Sequence, residues 1–467
     1  MKKILLLFSI IVLVSCSKDN ANLVELEQDF ERSEIYSLRI NSESNVITSD
    51  EAINVVKLAD IMGKSTTKST SKQIADVVTI SDDNGAPLMY AVNYENGKGY
   101  TLVSAKKDYY PILAQVDNGS YDKYVEGTGV PVLIDSYKSG IDYWSKQHTD
   151  SLMRFRNMWR EFEKKDVPAI AITKSGDDIR SEQVQGWISE GASVYQLEYA
   201  SSILPSDVYQ NFCMTAQAQG NPSYDYLTES YVVELPIEPT IVKSPMISTS
   251  WKQTAPYNYS CPLEGGVRTL VGCGAIAVAQ IMKYHQWPSN KAWSSMPNVL
   301  SATGTTVLSN FLYEVADNIK TRFSVTSSLS YMGNIEFALI TDYNYKLDNY
   351  TDYSEFSTRS SVNSDWPVLL QGNTTDLTSG HFWVCDGTRY HTPGKVYVLY
   401  VVDYIEPLQF VAAGQPYEVM ESYDYYMYHM NWGWGGTYNG WYLNNGFPYN
   451  NNYSREMHQI TNVRPNR

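Results

Sequence analysis

Cysteine is scarce in this chain of 467 residues: there are five, with no C-x-x-C pair among them, and histidine is nearly as rare at six. So few thiols exclude a disulfide scaffold, and without C-x-x-C or H-E-x-x-H no zinc-ligand spacing is present. Gly63-Lys64-Ser65 lacks the glycine five positions earlier that a phosphate-binding loop needs, and no G-x-S-x-G elbow occurs. Positive charge is also in deficit, 36 basic against 51 acidic residues, for a formal net charge of −15. Binding phosphates needs a basic surface, so nucleic acid is excluded as the expected partner. Beyond the N-terminus no run is long and apolar enough to cross a bilayer, and no repeat of solenoid length is visible.

What is present points to an exported, β-rich protein. Hydrophobic residues make up 43%, enough for a sizeable core, and the length predicts two or three domains. The 38 tyrosines and 11 tryptophans read as β-rich packing ahead of glycan binding. Lys2 and Lys3 precede an apolar run from Ile4 to Val14 that is too short to span a membrane, and Leu13-Val14-Ser15-Cys16 ends it. That pattern is similar to a bacterial lipoprotein signal. It implies cleavage before Cys16, lipidation of Cys16 and membrane attachment through lipid alone, in the periplasm or at the cell surface.

Cys273 opens LVGCGAIAVAQIMKYHQWP, where a thiol follows a glycine and starts a nearly all-apolar helical run. A helix N-terminus carries roughly half a positive charge, which favours thiolate over thiol. A cysteine nucleophile is one reading; a small apolar core residue is the other, and local context alone balances them. Catalysis needs a histidine to take the thiol proton and a third group to orient its ring. His148 lies in a charged helical stretch, His285 is on the cysteine's own helix, His391 falls in a turn, and His458 is near the polar C-terminus. His381 and His429 are left. His381 opens HFWVCDG, which reads as a buried strand, with Cys385 and Trp383 on the same face by alternation. His429 stands two residues before Asn431, whose side-chain oxygen can accept a histidine ring N–H while Trp432 shields the bond.

Taken together, GCGAIAVAQIMKYHQWP, GHFWVCDG and HMNWGWGGTYNGWYL, in that order, resemble the streptopain family of secreted, papain-like cysteine peptidases made as inactive precursors. The stretch VKSPMISTSWKQTAPYNYSCP (Val242 to Pro262) is similar to the start of that family's catalytic domain. The resemblance implies Cys273 as nucleophile, His381 as general base and acid, Asn431 as orienting residue with Trp432 beside it, and Gln253 as an oxyanion-hole donor. It implies protein or peptide substrates and no cofactor. Two positions depart from the family pattern: Ile276 replaces a threonine, and the bulky Phe382 and Trp383 replace smaller residues after the histidine, which bears on substrate preference.

The predicted fold class is α+β: a papain-like catalytic domain over residues 242–467, built from a helical and a β-rich half, preceded by a small α+β pro-domain. Within residues 17–170, a helix from Glu51 to Met62 and strands over Ala75–Ser81, Leu88–Tyr94 and Tyr100–Ser104 are separated by turn signals. With GYTLVSAKKDYYPILAQVDNGSYD this segment resembles the streptopain propeptide, which implies an intramolecular inhibitor. Ile141 to Lys165 reads as a charged amphipathic helix. Residues 171–241 read as a connector of short helices and turns containing the activation site, with Lys174, Arg180 and Lys243 as candidates. Two other classes use the same residues: a catalytically dead surface binding or inhibitor protein, and a thiol acyltransferase.

Overall fold

The computed structural model describes residues 37–62, 72–122, 130–147, 152–163, 193–219, 226–236, 240–301, 306–373, 380–391, 394–405, 409–412, 417–422, 425–443 and 457–467, a few single positions within the first, fourth and fifth of these excepted. The signal and Cys16, Lys174 and Arg180 lie outside the described residues.

Helix α1 (Ser49–Met62) starts where Thr48-Ser49-Asp50-Glu51 forms a capping box: Glu51 N donates to Thr48 Oγ1 at 3.2 Å and Thr48 N to Glu51 Oε2 at 2.8 Å. Strands β1 (Ile74–Ser81), β2 (Pro87–Tyr94), β3 (Tyr100–Ser104) and β4 (Ile112–Val116) follow as an antiparallel meander. Its first three strands fall where alternation and turn residues predicted them. Helix α2 (Val130–Trp144) is a correction. The sequence suggested a charged helix from Ile141 to Lys165, and Leu152, Phe155, Arg156, Met158 and Trp159 within it are helical, but the helix that contains Ile141 starts at Val130: Pro131 sits in its first turn, where a missing N–H costs nothing, and its apolar face Val132, Leu133, Tyr137 and Ile141 is buried.

A second correction concerns residues 193–236, expected as a connector. They form β5 (Ser193–Gln196), α3 (Ser206–Gln219), which carries the half-buried Cys213, and β6 (Tyr226–Pro236). β6 pairs along its whole length with β11 (Gly394–Ile405), a long strand from the far side of the chain. With β12 (Gln409–Ala412) and β13 (Tyr417–Ser422) they make a five-stranded antiparallel sheet, in the order β12-β11-β6-β5 with β13 also on β11. Tyr195, Phe212, Val232, Tyr397 and Leu399 form its small separate core. β-Strand pairing across about 160 residues leaves no local pattern to read. Lys243, a cleavage candidate, ends β7 (Thr240–Lys243), pairs with Thr388 and makes an ion pair with Asp365.

The remaining elements complete one large sheet and a helical layer. Helices α4 (Cys273–His285), α5 (Thr306–Asn318) and α6 (Met332–Thr341) form the layer. After them come β8 (Thr351–Asp352), α7 (Glu355–Asn363), β9 (Val368–Asn373), β10 (Gly380–His391), β14 (Tyr425–Asn431), β15 (Gly440–Leu443) and β16 (Met457–Ile460). The eleven-stranded sheet runs β1-β2-β3-β4-β15-β14-β10-β9-β16-β8, with β7 also on β10. Alternation along β10 decides its two faces. Phe382 and Val384 join Ile276, Val278, Phe311 and Leu312 in the helical core, whereas Trp383 and Cys385 enter a second core with Val132, Leu133 and Tyr137 of α2. Burial on both faces explains why HFWVCDG reads as one continuous apolar run. The class is α+β, as the sequence predicted.

The N-terminal unit, β1–β4 with α1 and α2, therefore extends the sheet that carries the sequence motifs. Val116, Gln115 and Ala114 of β4 pair with Gly440, Trp441 and Tyr442 of β15. Asp117 N donates to Asn439 O and Tyr438 N to Asn118 O, each at 2.9 Å. From α2, the buried Tyr137 Oη donates to Leu443 O at 2.7 Å, and Val132 packs where Gly372 leaves room beside Trp383.

Candidate active site

Cys273 is the first residue of α4, and the chain reaches it through Gly272 at φ +96°, a conformation that glycine adopts without strain. From Gly274 to Met282 every residue of α4 is buried, and all but Gln280 are apolar or glycine. Gly274 is needed for packing: a Cβ there would lie 2.9 Å from Ser330 Cβ and 3.2 Å from Ile335 Cδ1. The backbone there approaches α6 and the residue two before it closely. Gln253 is half-exposed, and its carbonyl accepts from Val271 N at 3.1 Å, which fixes it beside the loop that leads to Cys273.

His381 is the second residue of β10 and is 2% exposed. Its Nε2 lies 2.8 Å from the carbonyl oxygen of Trp432. A carbonyl can only accept, so Nε2 carries the hydrogen and Nδ1 keeps the lone pair. The ring is nearly parallel to that of Trp383, with Trp432 and Trp434 tilted around it at centroid separations of 6.3 Å. Burial pushes His381 down to about 4, against a smaller upward pull from the Trp432 carbonyl. The imidazole is neutral at pH 7.

The backbone N–H of Phe382, the residue next to His381, acts on the Cys273 thiol in the direction of the thiolate, and the helix that opens at Cys273 packs against the strand that carries His381. Nucleophile helix and histidine strand therefore meet at one point. Burial raises the Cys273 thiol above its ordinary value, and the N–H groups of Phe382, Gly274 and Cys273 itself offset this in part. The depressed value predicted from the helix N-terminus is not observed, because removing the thiolate from water outweighs the helix dipole. No hydrogen bond among the described residues joins the sulfur to the His381 ring. The pair rests as thiol and imidazole, not as an ion pair.

Asn431 is placed differently from its predicted role. Its Oδ1 accepts from Gln280 Nε2 and from Gly433 N, both at 3.2 Å, and its Nδ2 donates to Thr249 O at 2.9 Å. Both lone-pair directions of the oxygen are occupied, so it does not take the ring N–H. The carbonyl of the next residue does. Trp432 is fully buried, its ring 5.0 Å from Trp383 and 5.3 Å from Tyr442, and its backbone N–H donates to Asn439 Oδ1 at 3.0 Å. Of the departures from the family pattern, Ile276 packs where Gly433 leaves room, and Phe382 faces the helical core.

The other histidines separate from this site. His429 Nδ1 lies 2.6 Å from Asp386 Oδ1, and Asp386 Oδ2 also accepts from Ile247 N at 2.8 Å. Burial is the strongest single influence on His429 and pulls it down, but Asp386 and Asp117 together lift it above its ordinary value. His285, at the last turn of α4, is pushed down to about 4, first by burial. His391 ends strand β10, where a turn was predicted, and His458 lies on β16, its Nδ1 3.3 Å from Asp352. The four described cysteines are all free. Among the described residues no cluster of His, Cys, Asp and Glu could hold a metal, and no helix is long and apolar enough to cross a membrane.

Comparison with known proteins follows the same division of the chain. The thiol protease/hemagglutinin PrtT of Porphyromonas gingivalis is 25% identical over 233 residues, covering 42% of this chain; the chain spans 23% of that protein's length. Among solved structures, a Prevotella intermedia prointerpain A fragment is similar at a TM-score of 0.43 and 14% identity, over 84% of this chain and 98% of that one. The active interpain A cysteine protease of the same organism gives 0.32 and 17%, over 47% and 93%. Residues 44–141, the unit added to the sheet through β4, match the Spi protease inhibitor family. Residues 251–306 and 289–442, which include Gln253, Cys273, His381, Asn431 and Trp432, match the Peptidase C10 family.

Proposed function

We propose that this chain is a cysteine endopeptidase made as a zymogen. The observation that carries the reading is the meeting of α4, headed by Cys273, with β10, which carries His381, inside the region matched by the Peptidase C10 family. In the reaction His381 Nδ1 takes the thiol proton, and the thiolate attacks a peptide carbonyl to give a tetrahedral oxyanion. Gln253 and the backbone N–H of Cys273 stabilise that oxyanion, at about 3 kcal/mol per donor. The imidazolium then protonates the departing amine, and water hydrolyses the thioester. Trp432 holds the ring through its carbonyl. No cofactor takes part.

The inhibitor-type region restrains the site through the sheet it shares with it, and His381 stays buried and neutral while that region is in place. Substrates are proteins or peptides. The N-terminal pattern ending at Cys16 supports export and lipid anchoring, with the activated region working at or beyond the cell surface.

Cys273→Ala in the full chain tests the reading. It removes hydrolysis of peptide substrates and self-processing while leaving the circular dichroism and thermal midpoint of the precursor unchanged. Hydrolysis retained by the purified variant would overturn the assignment, and amine incorporation without hydrolysis would turn it into an acyl transfer.

A further inference from the structure

Gln280 is polar, 0% exposed, and sits in the middle of a helix whose other interior residues are apolar or glycine. An uncompensated buried amide is costly, so its partners define why it is there. Its Oε1 accepts from Thr249 Oγ1 at 3.0 Å, and its Nε2 donates to Asn431 Oδ1 at 3.2 Å. Asn431 Nδ2 returns to Thr249 O at 2.9 Å. The three residues close a ring of hydrogen bonds in which each is directly bonded to the other two.

Each corner belongs to a different part of the site. Gln280 lies two turns along α4 from Cys273; Asn431 immediately precedes the carbonyl that holds His381; Thr249 is four residues before Gln253 on the segment that ends beside the nucleophile loop. The helix, the sheet and the incoming segment have no covalent link at this point. We propose that Gln280 is a positioning residue for the peptidase chemistry proposed above, acting with Thr249 and Asn431 to fix the spacing between sulfur, imidazole and the oxyanion donor. It touches none of the reacting atoms. Its side chain sets the depth at which α4 seats against β14, and so the distance over which the thiol proton must travel.

The test uses the full chain carrying Gln280→Met, which keeps volume and loses both hydrogen bonds, and Thr249→Val, which removes one donor at the rim of the ring. Two readouts are taken: the pH dependence of Cys273 alkylation by iodoacetamide, and kcat and KM on a fluorogenic peptide after limited proteolysis. A misplacement of about 1 Å costs on the order of 100-fold in rate. Gln280→Met is expected to lower kcat at least tenfold with KM within twofold, and to displace the alkylation profile. Thr249→Val is expected to do the same more weakly, with the double variant less than additive. Wild-type kcat and an unmoved alkylation profile in folded Gln280→Met, or in Thr249→Val should the first not fold, would overturn the proposal. A displaced alkylation profile in a chain whose wild type cleaves no peptide would support the ring and sink the peptidase reading instead.

Discussion

Gly440 offers a way to loosen the inhibitor-type region without touching the site. It pairs with Val116 across the join between β15 and β4, and a Cβ built there lies 2.5 Å from Gln115 O, 2.6 Å from Val116 Cα and 3.2 Å from Gln115 C. All three atoms are backbone of the N-terminal unit, so no side chain can turn aside to make room. Gly440→Ala therefore forces β4 away from β15. Overpacking of this kind costs about 1–3 kcal/mol, or roughly 5- to 150-fold in the docking equilibrium. The assay is the rate of Cys273 alkylation and of peptide hydrolysis by the unprocessed chain, together with protease sensitivity of the segment around residues 114–118. All three should rise. A folded Gly440→Ala precursor with unchanged or lower rates would refute the idea that the β4–β15 join restrains the site.

Two further outcomes follow from the buried charges. Asp386→Asn removes the charge that His429 Nδ1 and Ile247 N both address from a 0% exposed position; breaking such a pair costs about 3–5 kcal/mol, read as a lower urea midpoint of the Cys273→Ala chain, and an unchanged midpoint would show that the pair contributes nothing. His381 sits at about 4 when folded against 6.5 ordinarily, so its contribution is fully present above about pH 6.5 and is lost as pH falls towards 4, about 3 kcal/mol in all. His285 adds in the same direction, whereas His429, raised, favours the fold at low pH and loses that as pH rises; urea midpoints at pH 7 and 4.5 should converge in His381→Gln relative to the unsubstituted histidine, and equal pH slopes would contradict the buried neutral ring.

Much of the site could be read from the sequence because its residues announce themselves locally. Cys273 begins an apolar helix behind a glycine that needs positive φ, and His381 begins a run apolar on both faces of a strand. The group that holds the imidazole could not be read that way. It is a main-chain carbonyl, which every residue has, and Asn431 drew attention because its side chain is of the right type and one residue away. Gln280 was passed over for a related reason: a lone glutamine in an apolar helix carries no pattern, and only its partners 31 and 151 residues distant give it meaning. The sheet made by residues 193–236 with 394–422 was missed because the sequence shows strands but not which distant strand each one meets.

In the zymogen proposed above, the way the two regions join bears on how it is switched on. A plug in a cleft leaves when its tether is cut. Here the N-terminal unit contributes four strands to the sheet and shares one buried core with Met430, Tyr442 and the two tryptophans, Trp383 and Trp432, whose rings flank the imidazole. Cutting the chain between residues 141 and 251 removes the covalent link but none of those contacts. Because β4 completes the hydrogen bonding of β15, and Tyr137 satisfies the Leu443 carbonyl, separation must expose both an open strand edge and an apolar face. Restraint and support are then the same contacts. Release depends on how tightly β4 seats on β15, which is the quantity Gly440→Ala alters.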